Sequence, residues 1–373
     1  VIILGEGKTS IPVRSMWFLL IYASELLAEM RAPERNKILA GERDEDLLDA
    51  IAEVLVVEVE QRLRRQLTLH YRTRHADLHR VRGRIDHLRS VTRRLSDQGR
   101  IACRFEELSV DSPRNRFIAH TLIYAAQAIK RAELAQRCRA AAFRMHRLGV
   151  GAVEPSRSEL SRDRLAHHDA GDRRMLDAAH LLRDMAIPYH EQGLADLPAL
   201  LNEPGKHRKL FEAAVRGFFW HTLSAQGWTI GSRKLHWKSE MGPTPTFLPV
   251  MKTDVTLDNP AMKRRIVIET KFTDALVDRD GKTTVASGYL YQLYAYLASQ
   301  SGNGNAVADA AEGVLLFVKT SGRQEFTAET KIQGHTLRFM SVDLSAKPAD
   351  IRNRWMQCMT TQGALQAGSD FDQ

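Results

Sequence analysis

The chain has 373 residues, 43% of them hydrophobic and 27% charged, with a formal net charge of +9. That length admits two or three domains with real cores, no apolar run approaches the roughly 18 residues of a membrane span, and the positive balance favours a polyanionic partner. Three widely spaced cysteines, Cys103, Cys138 and Cys358, argue for a reducing cytoplasm and against a disulfide framework or a structural zinc site.

The opening VIILGEGKTSIPVR has neither the basic start nor the long apolar core of a signal peptide. Gly7-Lys8-Thr9 imitates the end of a phosphate-binding loop, but the pattern needs glycine where Ile2 stands and a strand ahead of it, so nucleotide binding is not expected here. From Ile11, Met16, Trp17, Leu19, Leu20, Ala23, Leu26 and Leu27 recur at helical spacing and predict a buried helix. A polar break is expected over about 31–46, then a second helix from about Leu47 to Leu63. The alternating stretch LTLHYRTRHADLHRVRGRID predicts strands and turns. Arg62, Arg64 and Arg65 just before it and Arg72, Arg74, Arg80, Arg82 and Arg84 within it form a cluster, either a solvated face or a surface for phosphates or an acidic partner. His75 and His79 are four apart but lack the glutamate of a zincin helix, and His167-His168-Asp169 reads as a solvated loop.

Loop chemistry at Asp111-Ser112-Pro113 introduces one long helical region, residues 151–173 lose periodicity, and a helix is predicted over 175–185, followed by a break around 188–198. A helix from about Lys206 to Leu223 should end at Gly227. Next come strand compositions at Val255-Thr256-Leu257 and Arg265 to Thr270, with turn chemistry at Asp258-Asn259-Pro260. Pairing them gathers Asp254, Glu269 and Lys271. Residues two apart on a strand share a face, so Glu269 and Lys271 project together while Ile266, Ile268 and Thr270 face away. Two carboxylates suffice as protein ligands for Mg²⁺, which keeps several waters, and a lysine beside them can position water or offset charge. By spacing alone, an exposed hairpin with an ordinary Glu/Lys pair is the other reading. Downstream, SGYLYQLYAYLAS predicts a helix with Gln292 and Tyr296 on one face and Tyr289, Leu293 and Leu297 in the core. A glycine-rich break at 301–305, strands at 313–318 and 336–342 and a helix from about Pro348 complete an α/β sheet flanked by helices.

Asp254, Glu269-Thr270-Lys271 and Gln292-x-x-x-Tyr296 resemble the PD-(D/E)XK nucleases. With IPVRSMWFLLIYA, RGRID, DSPRNR, FLPVMKTDVTL, RIVIETKF and LYQLYAYL, the chain resembles, almost throughout, the McrC family, nuclease subunits of McrBC 5-methylcytosine-dependent (type IV) restriction systems. The resemblance implies a C-terminal PD-(D/E)XK restriction-endonuclease-like domain over 201–373, its mixed sheet flanked by helices, preceded by an α+β partner-docking region over 1–200. It implies Mg²⁺ on Asp254 and Glu269, catalysis by Lys271 with support from Gln292 and Tyr296, and, in some PD-(D/E)XK enzymes, a helix glutamate where Glu212 stands. Where this chain has Glu269, other McrC-like sequences can carry Asp. The implied partners are double-stranded DNA and a hexameric McrB-like AAA+ motor that binds GTP and whose hydrolysis McrC stimulates, with pairing of two McrC chains for double-strand cutting as an option. Alternatives are a self-sufficient PD-(D/E)XK nuclease of repair or another defence system, and a stalk or activator of the ring that does not cut.

Overall fold

The computed structural model describes residues 2–4, 9–11, 13–24, 26–163, 170–186, 204–237, 246–273, 276–279, 282–302, 304–319 and 324–360. Gly5 to Lys8 of the imitation phosphate loop, His167-His168-Asp169 and the break at 188–198 lie outside the described residues. Among the described residues, no helix is long and apolar enough to cross a membrane.

The chain forms two compact units, Leu48–Ala186 and a second made of Val1–Leu47 with Ile187–Gln373. A boundary at residue 200 therefore does not coincide with the units, because the first 47 residues join the C-terminal part.

In the unit Leu48–Ala186, the helix α4 (Leu47–Arg65) is followed by a three-stranded antiparallel sheet in the order β3 (His70–Leu78), β5 (Ile101–Ser109), β4 (Arg84–Ile85), with α5 (His87–Thr92) before β5. The long helical region resolves into α6 (Pro113–Ala128) and α7 (Ala132–Arg147). Ile129 turns extended between them, and the buried Asp49 carboxylate accepts the Lys130 and Arg131 N–H groups at 3.2 and 3.1 Å, satisfying donors at the start of α7. The stretch without periodicity carries α8 (Arg157–Arg162), started by a Ser156/Glu159 capping box, and α9 (Ala170–Ala186) begins earlier than its apolar spacing suggests. His75 lies on β3, not on a helix.

The other unit opens with a short β1 (Ile2–Leu4) and β2 (Thr9–Ile11) pair, then α1 (Val13–Ala23), α2 (Leu26–Glu29) and α3 (Ala32–Leu39). The last falls where a polar break was expected. It starts behind extended Arg31 with proline in its first turn and buries only Ile38, so its composition reads as surface. Beyond residue 187, the chain builds a mixed six-stranded sheet in the order β14 (Thr327–Ile332), β15 (His335–Val342), β13 (Glu312–Val318), β10 (Arg264–Lys271), β9 (Val255–Asn259), β6 (Thr229–Gly231). β10 and β9 are antiparallel, with Ile268 opposite Val255, whereas β13 runs parallel to both β10 and β15. The hairpin turn lies at 260–263, later than expected. Asp258 and Asn259 stay in the strand, where Asp258 meets Arg265 and Arg233, and Lys263 takes the positive φ.

Helices flank this sheet. α10 (Pro204–Leu223) ends in a 3-10 turn with Gly227 at φ 82°, the left-handed cap its sequence predicts, and packs on β6, β9 and β10. α11 (Ser287–Ala298), preceded by the hairpin β11 (Leu276–Arg279) and β12 (Lys282–Val285), packs on β10 and β13; α12 (Ala306–Asp309) follows. Leu293 and Leu297 of α11 join Val267, Leu315, Phe317 and Leu337 of the sheet in one apolar cluster. α13 (Pro348–Met356) brings Trp355 against Phe18 and Tyr22 of α1 and Phe211 and Phe218 of α10. These rings bind the N-terminal segment into this unit, and Arg352 pairs with Asp44 beside them.

The approach of α1 to α10 depends on one missing side chain. A Cβ on Gly217 would lie 1.9 Å from the Tyr22 carbonyl oxygen. Neither backbone can yield without disturbing the aromatic cluster, so Gly217→Ala should cost about 3 kcal/mol or more. Urea unfolding of the two proteins measures this; equal midpoints would mean that the helices slide apart freely.

Candidate active site

At the C-terminal end of β10, strand alternation turns Val267, Glu269 and Lys271 toward α11. Glu269 and Lys271 are among the buried charged residues. The Lys271 ammonium donates to Glu269 Oε1 at 2.7 Å and to Gln292 Oε1 at 2.8 Å, and lies 4.7 Å from the centre of the Tyr289 ring. Gln292 Nε2 donates to the Tyr296 hydroxyl at 2.6 Å, which donates to the Lys252 carbonyl at 2.9 Å. Tyr289, Gln292 and Tyr296 sit three and four residues apart on α11, so one helix face carries all three. The chain of donors runs from the carboxylate of β10 to the backbone just before Asp254.

Asp254 occupies the bend between β8 (Met251–Lys252) and β9. Its Oδ2 accepts from the Thr270 N–H at 2.9 Å and the Thr270 hydroxyl at 2.8 Å. Thr253, next to it, is buried and held from several directions. Its N–H donates to the Arg233 carbonyl at 3.0 Å, its hydroxyl accepts from the Arg233 N–H at 2.9 Å, and its carbonyl accepts from Ser232 Oγ at 2.6 Å. Arg216 on α10 donates to Glu212 Oε1 at 2.8 Å and to the Asp254 carbonyl at 2.9 Å, so Glu212 borders the site through an arginine.

Burial first, and the neighbouring Asp254 charge second, push the Glu269 carboxyl up to about 7, against the pull of Lys271. Burial likewise raises Asp254, with the Thr270 hydrogen bonds opposing it. The Tyr296 hydroxyl is pushed up to about 12, chiefly by burial, and stays a donor at neutral pH. Glu269 Oε2 is buried without a hydrogen-bond partner. A buried, unpartnered carboxylate oxygen beside a second carboxylate is a place where a cation would lower both pKa values. Among the described residues, no group of three or more His, Cys, Asp or Glu could hold a metal by itself. Two carboxylates with open positions suit a hard cation that keeps its waters, such as Mg²⁺, and not a closed zinc cage.

All six residues singled out in the sequence fall in one neighbourhood: Asp254, Glu269, Lys271, Gln292 and Tyr296 in a continuous contact network, Glu212 one arginine away. Thr270 was assigned to the opposite face, yet its N–H and hydroxyl reach Asp254. Arg216 and the ring of Tyr289 were not assigned to the site at all. The available signals were Arg216 four residues after Glu212 and Tyr289 three before Gln292. Tyr289 does pack against the core, as expected, and contacts Lys271 as well. Elsewhere, Arg62, Arg72 and Arg74 pair with Asp172, Asp111 and Glu107, and Arg82 lies over Phe105, whereas Arg64, Arg65, Arg80 and Arg84 are exposed.

Comparison with known proteins places this geometry in context. The family described as "McrBC 5-methylcytosine restriction system component" matches residues 7–308. The chain is 24% identical over 340 residues to the "Type IV methyl-directed restriction enzyme EcoKMcrBC" of Escherichia coli (strain K12), covering 90% of this chain and 93% of that one. Among solved structures, it overlaps a half-complex of Thermococcus gammatolerans McrB AAA+ hexamers with bound McrC. The TM-score is 0.43 at 12% identity, over 90% of this chain and 75% of the other. The Thermococcus gammatolerans McrBC complex gives a TM-score of 0.34 at 12% identity, over 44% and 50%. Overlaps of that size do not define a shared fold.

The raised Glu269 carboxyl has a testable sign. In the metal-free chain it binds a proton more tightly folded than unfolded. Its contribution to stability is therefore complete below the ordinary carboxylate value near 4.5 and is lost as pH rises through about 7. Replacing it by glutamine removes this term, so Glu269→Gln should gain on the wild type by about 2–3 kcal/mol between pH 5 and pH 8. Unfolding in a chelator at both pH values measures the difference, and parallel profiles would place the group in an ordinary environment.

Proposed function

Since the chain belongs to the McrBC 5-methylcytosine restriction system component family, which matches residues 7–308, we propose that it is the Mg²⁺-dependent DNA endonuclease subunit of an McrBC-like restriction system, of PD-(D/E)XK type. The observation that carries this reading is the Glu269–Lys271–Gln292–Tyr296 chain, buried except for the half-buried Gln292, beside Asp254.

Asp254 and Glu269 would hold the Mg²⁺, which when bound would supply Lewis-acid polarisation of a phosphoryl oxygen and a more acidic water. Thr270 fixes the Asp254 carboxylate by two hydrogen bonds, and Arg216 fixes the carbonyl behind it. Gln292 and the Tyr289 ring hold the Lys271 ammonium at the end of β10, where it offsets charge that develops on the phosphoryl group as water adds and the P–O bond breaks. Tyr296 fixes the amide of Gln292 and so selects which of its ends faces Lys271. Arg216 neutralises Glu212, which therefore acts by positioning and not as a ligand.

Cutting under the control of a GTP-hydrolysing, McrB-like AAA+ hexamer is part of the same proposal. It rests on family membership and on the likeness to the Escherichia coli methyl-directed restriction enzyme. Docking on that motor and stimulation of its hydrolysis fall to the part of the chain outside the endonuclease sheet.

Lys271→Ala should lower cleavage of methylated duplex DNA, assayed with the motor subunit and GTP, by on the order of 10²–10³. Undiminished cleavage would remove Lys271 from the site. Mg²⁺ should raise the melting temperature of the wild-type chain at pH 8 and raise that of Glu269→Gln much less; equal increments would place the cation elsewhere.

A further inference from the structure

Two residues before Asp254, the chain passes through a short antiparallel ribbon of β7 (Lys234–Leu235) and β8, with Leu235 opposite Met251 and Lys234 opposite Lys252. Alternation sorts the two pairs. Leu235 belongs to the apolar cluster under α11 and Met251 packs against it, while Lys234 and Lys252 are both exposed. Directly opposed residues on such a ribbon hold their Cβ atoms roughly 5 Å apart, and like charges there oppose pairing. The neighbouring Arg233 is committed to Asp258, whereas neither lysine meets a carboxylate among the described residues. The ribbon thus sets two cations side by side at a cost to its own stability.

It also holds them rigidly. The carbonyl of Lys252 accepts from Tyr296, and Thr253 is fixed to Ser232 and Arg233. Lys252 therefore rides on the same backbone that carries Asp254, roughly 7 Å along an extended strand from it, and Lys234 stands opposite Lys252 on β7. An anion bridging the two ammonium groups would remove their repulsion, and successive phosphates of one DNA strand advance by only about 3.4 Å along the helix axis.

We propose that Lys234 and Lys252 form a backbone-phosphate clamp that holds duplex DNA within about two nucleotides of the scissile position. The proposal rests on the endonuclease reading for the identity of the polyanion. It makes the like-charge pair a binding device whose repulsion is relieved only on the DNA.

The test is binding of a labelled duplex by the full chain across a sodium chloride series, in chelator so that cleavage plays no part. Lys234→Gln/Lys252→Gln should make the plot of log affinity against log salt shallower by about 1.8, the loss of two phosphate contacts. It should leave the melting temperature unchanged or raised. Lys234→Arg/Lys252→Arg should keep the slope. A charge-matched control, Lys263→Gln/Lys331→Gln, removes two exposed lysines of the same unit and should leave the slope nearly intact. An unchanged slope in the ribbon variant, an equal loss in the control, no duplex binding by the wild type at low salt, or a defect confined to association with an acidic protein would each overturn the proposal. The cleavage rate of Lys271→Ala bears on the endonuclease reading alone, so the two can fail separately.

Discussion

A lysine and a glutamate buried side by side at the end of a strand set the terms for the surrounding structure. An ammonium removed from water must find partners for its donors, or the burial costs several kcal/mol. Here Glu269 and Gln292 accept two of them, and the Tyr289 ring faces the charge. That requirement fixes the rotation of α11 about its axis, because Gln292 must look down at β10 while Leu293 and Leu297 meet the core. It also calls for Tyr296, since an amide with an unsatisfied end could turn over and offer Lys271 a donor. The parallel neighbour β13, buried along its whole length, supplies the dry floor.

The carboxylates obey the opposite logic. Lys271 takes only one oxygen of Glu269, and Asp254 stands close enough to raise its proton affinity. With both carboxylates ionised, this point carries more negative charge than its own cations neutralise, although the chain as a whole is strongly basic. Such a local inversion of sign is what the proposed cation-dependent phosphoryl site would require: negative where a metal would sit, positive where the polymer would lie.

The hairpin, the α10 cap and the α11 face were legible because each is encoded locally, in strand composition, a glycine after an apolar run, and polar residues four apart. The connection of the site to its surroundings was not. Arg216 reads as an ordinary i, i+4 partner of Glu212 until the fold brings the Asp254 carbonyl to it. β14 was invisible because an edge strand with the sequence TAETKI buries too little to alternate clearly, and β5 was masked by the charged residues that pair across its exposed side. α3 was lost for a related reason, being a helix with a single buried residue. The largest misreading concerned the first 47 residues. Periodicity showed that α1 is buried but not against what, and its partners lie about 200 residues and more further along.

That last feature bears on how the protein is made. The unit Leu48–Ala186 is inserted in the sequence of the other, so it is synthesised whole while most of its host, from Ile187 onward, is still missing. α1 waits, with Phe18 and Tyr22 uncovered, until α10 and then Trp355 emerge. Strand β10 is translated before α13 closes the aromatic cluster, and this unit cannot be complete until Trp355 has left the ribosome. A truncated or prematurely released chain would carry Asp254, Glu269 and Lys271 on an unsupported sheet. Under the proposed endonuclease function, the cutting geometry would therefore be the last part of the unit to be supported.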